Sequence, residues 1–203
     1  MYLPAHFEET REAELLGLVR DFPLGMLVAK GPQGLDANHI PFLVDEPEGG
    51  KRRLIAHVAR ANPLWKEAKD GDEALVVFRA EDAYVSPNWY PSKPEHQRHV
   101  PTWNYKVVHV HGWLRIHDDV RFVRGVVSRL TRTHEANTGD PKPWKMADAP
   151  ADYLDQMLGN IVGIEVEIAR MVGKFKLSQN RDERDRLGAA DALRKRGETA
   201  LAD

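Results

Sequence analysis

The chain has 203 residues, of which 42% are hydrophobic and 30% are charged, and its formal net charge is -2. A globular protein of this length buries a core without needing metal or disulfide staples. Cysteine is absent, which excludes disulfides, thiolate catalysis and Cys-ligated zinc. The charge balance argues against an extended nucleic-acid-binding surface.

The start of the chain, MYLPAHFEETREAELL, has neither the basic region nor the apolar core of a secretory signal. No apolar run approaches the roughly 20 residues that a transmembrane helix needs. Together with the lack of cysteine, these features lead us to expect a cytoplasmic protein.

The N-terminal half is predicted to be rich in strands, with two helices among them. Apolar spacing predicts a helix over Glu8–Phe22, and the pair Asn62-Pro63 is typical of a helix start, with Asn as the cap. A proline at position 41 indicates a sheet edge, a bulge or the end of a strand. The predicted strands are Leu24–Lys30, Gly34–Asp45 interrupted at Pro41, Arg53–Ala59, and Ala74–Arg79, which Asp82–Ser86 could extend.

The C-terminal half is predicted to contain one long strand, three helices and one or two further strands. His99–Ile116 alternates in both parities, so both faces of that strand are used. Helices are predicted over Asp118–Thr133, Ala151–Leu158 and Asp182–Arg196, the last with Leu187, Ala190 and Leu193 on its apolar face. Asn160–Leu177 is predicted to form one or two strands, broken at Gly173.

The order of these elements predicts the fold class. Six or seven strands dominate, and the helices occur irregularly rather than once per strand, which disfavours a doubly wound sheet. We therefore predict a mainly β (α+β) fold, an antiparallel barrel with attached helices. Residues 1–203 are expected to form one domain with a C-terminal helix at about 182–197. No Gly-rich phosphate loop of the GxGxxG or GxxxxGK type is present.

The segment Tyr84–His117 is the most informative part of the chain. It holds three of the five Trp and three of the five Tyr residues, interleaved with polar residues rather than with aliphatic ones. Large rings among placed polar groups suit a cleft for a flat ligand with polar edges. The sequence therefore predicts a small-molecule-binding protein whose ligand is planar.

Four short segments are candidates for contacts with such a ligand. In HVARANP, Arg60 at the end of a strand could grip a phosphate, or it could be a solvated arginine beside an ordinary Asn cap. The break at His39-Ile40-Pro41 could expose backbone groups to a ligand edge, although an ordinary edge strand would look the same. Trp103, Asn104 and Tyr105, with Lys106, could stack on a ring and bond to its edge. Ser178, Gln179 and Asn180 offer donors, and Lys176 and Arg181 offer charge. The same segment could simply cap the last helix beside a solvated basic flank.

Metal and nucleophilic chemistry have weak support in the sequence. His109 and His111 share a strand face and His117 follows, but zinc needs a third ligand and a supporting shell, and no HExxH motif or carboxylate cluster is present. We predict no metal site. Ser128 and Ser178 lack a GxSxG context, and the catalytic residues stay unknown.

Several motifs, taken in order, resemble a known family. MYLPAHF, HVARANP, SPNWYPSK, VPTWNY followed by VHVHG, and KLSQNR together resemble the PaiB-like family of FMN-binding negative transcriptional regulators. The resemblance extends from Met1 to about Arg186. It implies an FMN-binding split β-barrel, related to pyridoxamine-phosphate oxidases and flavin reductases, that forms homodimers with FMN at the subunit interface.

The resemblance also implies roles for particular residues. Arg60, with His57 and Asn62, would hold the FMN phosphate, and the backbone of His39 and Ile40 would lie along the isoalloxazine edge. Further contacts would come from the long strand, in part across the dimer, and from the segment that follows the last strand. These further residues are Trp103, Asn104, Tyr105, Lys106, Ser178, Gln179 and Arg181.

Four functions stay open at this point. The first is a flavin-dependent or flavin-sensing regulator, and the second is an FMN-dependent oxidoreductase in which the cofactor performs the chemistry. A DNA-binding repressor is the third, since the predicted helix is basic through Arg121, Arg124, Arg129 and Arg132. An ordinary solvated face of an amphipathic helix explains these arginines equally well. The fourth is a haem-binding split barrel, suggested by the His-rich strand.

Overall fold

The structure, a computed structural model, describes residues 1–201. Its main elements are six α-helices and eight β-strands, with four short 3₁₀ helices between them. The helices are α1 Glu12–Asp21, α2 Leu64–Glu67, α3 Lys93–His96, α4 Val120–Glu135, α5 Ala151–Gly159 and α6 Glu183–Lys195. The strands are β1 Glu8–Glu9, β2 Leu24–Gly31, β3 Gly34–Pro41, β4 Leu43–Asp45, β5 Arg53–Ala59, β6 Glu73–Val85, β7 Thr102–His117 and β8 Ile161–Lys176.

The strands form one sheet in the order β3-β2-β6-β7-β8-β5-β4, and β1 pairs with β8. The pairs with a defined register, including β2–β3, β2–β6 and β5–β8, are all antiparallel. Proline at position 41 ends β3, which lies at one end of the sheet order. The prediction of a strand that ends at an edge is therefore confirmed. The missing N–H of proline is tolerated there, because Pro41 is the last residue of β3 and β3 is at the end of the sheet order.

Two predictions about strand and helix limits are wrong. Glu8 and Glu9 pair with β8 opposite Lys174 and Gly173, so the first helix starts at Glu12. Strand β8 runs unbroken through Gly173. A Cβ at Gly173 would collide with the side chain of Leu15 and lie 3.0 Å from the Glu9 carbonyl oxygen. Glycine at position 173 therefore permits close packing inside a strand rather than ending it.

The chain divides into two compact units. Unit 1 comprises residues 1–18, 79–109 and 172–203, and unit 2 comprises 19–78 and 110–171. In unit 2, α4 packs on β5 through Ile55, Val126 and Leu130. In unit 1, α6 packs through Leu193 against Ala83 of β6. The prediction that 1–203 is one domain stays a prediction.

Candidate functional site

Arg60 follows β5 in unit 2 and lies in a dense set of hydrogen bonds. Its Nε donates to the Gly159 carbonyl oxygen at 2.7 Å, which fixes the plane of the guanidinium. Its two terminal nitrogens donate to the carboxylate of Asp118 at 3.0 and 2.6 Å. This hydrogen bond from Arg60 lowers the pKa of Asp118. The fork of Arg60 is thus oriented by backbone and already holds an oxyanion, with the geometry that suits carboxylate or phosphate.

His57 and Asn62 lie on either side of Arg60 in sequence. His57 is on β5, and its buried Nδ1 has no hydrogen-bond partner among residues 1–201. Burial lowers the pKa of its imidazole, so the ring is neutral near pH 7. Asn62 accepts a hydrogen bond from the Leu64 N–H at 2.9 Å and donates to the Asn38 side chain at 2.7 Å. Asn62 therefore joins the start of α2 to β3.

His39 and Ile40 occupy the end of edge strand β3. They pair with Met26 and Gly25 of β2, and Ile40 is buried while His39 is exposed. Because Asn38 binds Asn62, the structure places this end of β3 beside the segment that carries Arg60. The end of β3 that carries His39 and Ile40 is therefore tied to the Arg60 segment through the Asn38–Asn62 hydrogen bond.

The predicted residues of β7 in unit 1 differ in burial. Trp103 is 53% exposed and meets the ring of Tyr84 edge to face at 5.9 Å. Asn104 is buried, and its side-chain oxygen accepts a hydrogen bond from Ser178 Oγ at 3.0 Å. The Tyr105 ring lies 5.6 Å from Lys174 Nζ, and Lys106 Nζ lies 5.9 Å from the Phe175 ring.

The segment after β8 is a tight turn held by its own side chains. Ser178 has φ of 67°, a left-handed conformation that costs energy for a residue with a Cβ. Gln179 accepts from the Leu177 N–H at 2.7 Å and donates to the Phe175 carbonyl oxygen at 2.5 Å. The guanidinium of Arg181 lies 5.3 Å from the Tyr90 ring. Ser178 is therefore held in its strained conformation by Asn104 and by the bonds of the turn.

A cleft of about 250 Å³ adjoins this turn, lined by Asn104, Leu177 and Ser178 and by residues of α6. Its volume is below the roughly 300–1,000 Å³ of pockets for drug-sized ligands. The cleft alone does not accommodate a large planar ligand.

Sequence reasoning missed several polar residues that the structure makes prominent. In unit 1, the Ser92 hydroxyl donates to Asp185 at 2.6 Å and lies 2.8 Å from His99 Nε2, with both Ser92 and Asp185 buried. Lys174 is missed as well, whereas its neighbour Lys176 was noted for its charge. Ser92 stands inside the motif SPNWYPSK, which was the available signal.

The candidate metal ligands are not brought together. His117 stacks on Phe122 with centroids 3.8 Å apart and contacts Glu165 at 3.1 Å. Within residues 1–201, no group of three or more His, Asp or Glu side chains is arranged to hold a metal ion. Nor is any helix in that range long and apolar enough to cross a membrane.

Comparison with known proteins places these features in a family. Residues 1–170 match the family model described as "Putative FMN-binding domain". The chain belongs to this family. It is 34% identical to an uncharacterized protein of Emericella nidulans, over 98% of this chain and 93% of that protein. It is 27% identical to the protease synthase and sporulation protein PAI 2 of Bacillus subtilis, over 95% and 89% of the two chains.

A solved structure confirms the fold. The flavocytochrome Anf3 from Azotobacter vinelandii superposes with a TM-score of 0.59, covering 83% of this chain and 69% of that chain at 12% identity. The fold is the mainly antiparallel split barrel with attached helices that the sequence predicted, and the predicted resemblance to the PaiB-like family is confirmed.

FMN is the cofactor of this family, and the residues of unit 2 fit it. The oriented fork of Arg60 suits the phosphate of FMN, and the buried Nδ1 of His57 is a polar atom that has no partner within residues 1–201. The twelve predicted contact residues themselves stay predictions.

Proposed function

We propose that this protein binds FMN through Arg60 and acts as a flavin-dependent or flavin-sensing regulator. The observation that carries the proposal is the guanidinium of Arg60, which the Gly159 carbonyl oxygen orients and which grips an exposed carboxylate in bidentate fashion. A phosphate presents the same pair of oxygens and a larger charge, so it competes with Asp118 for the fork.

Asp118 is well suited to be displaced. Its side chain is 50% exposed, so it regains water when it leaves Arg60. Ion pairs between exposed groups contribute only about 0–1 kcal/mol, so the carboxylate is a weak competitor. The role of Asp118 in this proposal is to hold the guanidinium in place until the phosphate arrives.

The other residues of unit 2 have supporting roles in the proposal. His57 offers its buried Nδ1 to the ligand, and Asn62 keeps the Arg60 segment against β3. The backbone at His39 and Ile40 follows the edge of the ring system. FMN, when bound, supplies hydride and electron transfer, while the protein binds and orients it.

The regulatory part of the proposal is supported by one relative. The 27% identical relative from Bacillus subtilis is named for protease synthesis and sporulation. Direct DNA contact is not needed for such a role, and α4 is poorly suited to it. Arg124 pairs with Asp155 at 2.6 Å, and Arg129 pairs with Asp45 at 2.5 Å, so two of its four arginines already have acidic partners.

The proposal includes a homodimer. Its support is the exposed aromatic pair of Tyr84 and Trp103, 43% and 53% exposed, because large exposed rings are enriched at protein interfaces. Sedimentation at micromolar concentrations gives the mass directly. A monomer at every concentration would remove this part of the proposal.

The experiment that tests the function is a titration of flavin-free protein with FMN, followed by flavin fluorescence. We expect saturation at one FMN per chain, and no saturable binding would overturn the proposal. A second step adds NADH or NADPH to the loaded protein. Flavin-dependent turnover would identify an oxidoreductase instead of a regulator, whereas a change in flavin state without turnover is expected of a sensor.

A further inference from the structure

Three cations lie together in unit 1, and we name Lys174, Lys176 and Arg181 the basic cluster. Lys174 is only 8% exposed, and its Nζ donates to the Tyr2 carbonyl oxygen at 3.0 Å. Lys176 donates to Thr102 Oγ1 and to the Trp103 carbonyl oxygen. Among the described residues, the partners of the two ammonium groups are therefore neutral oxygens and aromatic rings.

The basic cluster has no counter-charge within the part of the chain that the structure describes. None of the carboxylates of residues 1–201 lies within 4 Å of its three cations. Taking a charge out of water is costly unless an opposite charge accompanies it. Unpaired charged groups held together in this way are typical of sites where a ligand supplies the missing charge.

The cations also repel each other. The pKa of Lys176 is below its ordinary value because the ammonium is partly buried, and because Lys174 and Arg181 are near it. The groups that face the cluster from the other elements are the rings of Tyr2, Phe7, Tyr90 and Tyr105. Rings of this kind pack beside cations but do not neutralise them.

We infer that the basic cluster binds the oxyanion of a small molecule, a phosphate group above all. Lysine binds phosphate as a point charge, and the guanidinium of Arg181 adds a planar fork. The exposed ring of Trp103, on the strand whose backbone Lys176 contacts, offers a surface for an attached planar group. This inference goes beyond the proposed function, in which Arg60 holds the phosphate of FMN. Binding of the FMN phosphate at the basic cluster would replace that assignment to Arg60.

Two sources could supply the phosphate, a separate phosphorylated ligand or FMN itself. The test uses calorimetric titration of inorganic phosphate into flavin-free and FMN-saturated protein, together with Kd values for FMN and riboflavin. The variants are Lys176→Met, which removes the charge, and Lys176→Arg, which keeps it. Lys195→Met, at an exposed lysine near the end of α6, is the matched control.

A separate ligand predicts that phosphate binds FMN-saturated protein and that Lys176→Met weakens this binding at least tenfold, in the range for a charge-assisted bond. FMN as the source predicts that FMN blocks phosphate, and that Lys176→Met weakens FMN at least tenfold but leaves riboflavin unchanged. In both cases Lys176→Arg and Lys195→Met stay within about threefold of the parent protein, as expected when the charge is retained or the lysine is remote.

The inference is overturned if phosphate does not bind flavin-free protein and FMN affinity is unchanged in Lys176→Met. If Lys176→Met does not fold, Arg181→Gln, at a position outside the strands, replaces it in the test. We expect this variant to weaken the binding of phosphate or FMN at least tenfold as well. Saturable FMN binding without any effect of these variants leaves the proposed function standing while the inference fails. Phosphate binding that Lys176→Met weakens, without any binding of FMN, would support the inference while the proposed function fails.

Discussion

Two charged clusters of this protein differ in whether their charges are paired with opposite charges of the chain. In unit 2, Arg53 lies between Asp45 and Glu165, at 2.7 and 3.0 Å, and Arg129 of α4 also reaches Asp45. We name these four residues, with His117, the paired cluster. In unit 1, the basic cluster has neutral partners alone among the described residues. The paired cluster contains both carboxylates and cations, whereas the basic cluster contains cations alone.

The difference indicates different roles. The carboxylates of the paired cluster come from β4 and β8 and its arginines from β5 and α4, so their bonds hold four elements together. Burial raises the pKa of Asp45, but the hydrogen bonds from Arg53 and Arg129 outweigh it and lower the pKa. A cluster that lowers the pKa of its own acids stabilises the fold near neutral pH. The basic cluster does not stabilise the fold in this way, because it contains no acid that its cations could pair with.

The largest expected effect comes from breaking the paired cluster. Glu165→Gln removes the negative charge that His117 and Arg53 share. Loss of one partner of a buried pair costs about 3–5 kcal/mol. Because Arg53 is 32% exposed, we expect a smaller loss of about 2–3 kcal/mol in the free energy of unfolding. Urea denaturation at pH 7 measures this loss.

The matched control for Glu165→Gln is Asp155→Asn. Asp155 pairs with Arg124, but the two side chains are 68% and 46% exposed. A loss of at most about 1 kcal/mol is expected there. Equal losses in the two variants would contradict the view that burial makes the paired cluster contribute more to the free energy of unfolding than an exposed ion pair does.

Arg60 is an intermediate case, an exposed cation whose acidic partner is exposed as well. Arg60→Ala is expected to weaken FMN binding by about 1.5–3 kcal/mol, the range for a charge-assisted hydrogen bond. The measurement is the FMN Kd from quenching of flavin fluorescence. Unchanged affinity would remove Arg60 from the site.

Asp118→Asn is expected to change the affinity for FMN in the opposite direction to Arg60→Ala. The variant removes the carboxylate that competes with phosphate for the guanidinium, so we expect FMN to bind up to about 1 kcal/mol more tightly. Riboflavin, which lacks the phosphate, is expected to bind equally well to the parent and to this variant. Weaker FMN binding in Asp118→Asn would mean that Asp118 positions Arg60 rather than competing for it.

A third cluster lies in unit 1, like the basic cluster, but its charged group is paired, like those of the paired cluster. Ser92, His99 and Asp185 lie in unit 1, yet Asp185 has partners, since the Ser92 hydroxyl and backbone N–H both donate to it. Ser92→Ala leaves a buried carboxylate oxygen without its donor, and we expect a loss of about 1–2 kcal/mol in unfolding free energy. Thermal and urea unfolding measure it. No loss would mean that the hydroxyl is not needed to hold α6 in place.

The pH dependence of this third cluster follows from the acid. Burial raises the pKa of Asp185, but the hydrogen bonds from Ser92 outweigh it, so the folded pKa is below the ordinary value of 3.8. This contribution to stability is therefore present above pH 3.8 and is lost as pH falls through the folded pKa. The difference between parent and Ser92→Ala should shrink in that acid range.

The sequence predicted the fold better than the contacts within it. Alternation in β5 and β7 and the proline at 41 are local signals, and strands β3, β5 and β7 lie near their predicted limits. Strand β1 was not predicted, because its two residues have no apolar pattern of their own. Arg60 and Asp118 are 58 positions apart, and Ser92 and Asp185 are 93 apart. No local pattern encodes such pairs, because they depend on strand register and on the placement of helices.

The face of α6 shows a second limit. Leu187 was predicted to lie on the apolar face, but it is 58% exposed, whereas Ala189 and Leu193 are buried. A Cβ at Gly188 would collide with the Trp89 carbonyl oxygen and lie 2.6 Å from Pro91 Cδ. The helix approaches its neighbour through a residue without a side chain. Hydrophobic periodicity does not detect this contact, because glycine adds nothing to the apolar pattern.

The smallest expected effect is the most direct test of the basic cluster. Lys176→Met is expected to change the unfolding free energy at pH 7 by less than about 1 kcal/mol, because loss of an uncompensated charge offsets loss of its hydrogen bonds. The folded pKa of Lys176 is below its ordinary value of 10.5. Between these two pKa values the unfolded chain binds more protons, so stability rises with pH through that window. Lys176→Met should lose this rise, and Lys195→Met should keep it. Urea unfolding at pH 7 and at alkaline pH measures both, and a loss above about 2 kcal/mol at pH 7 would show that the basic cluster, like the paired one, serves the fold.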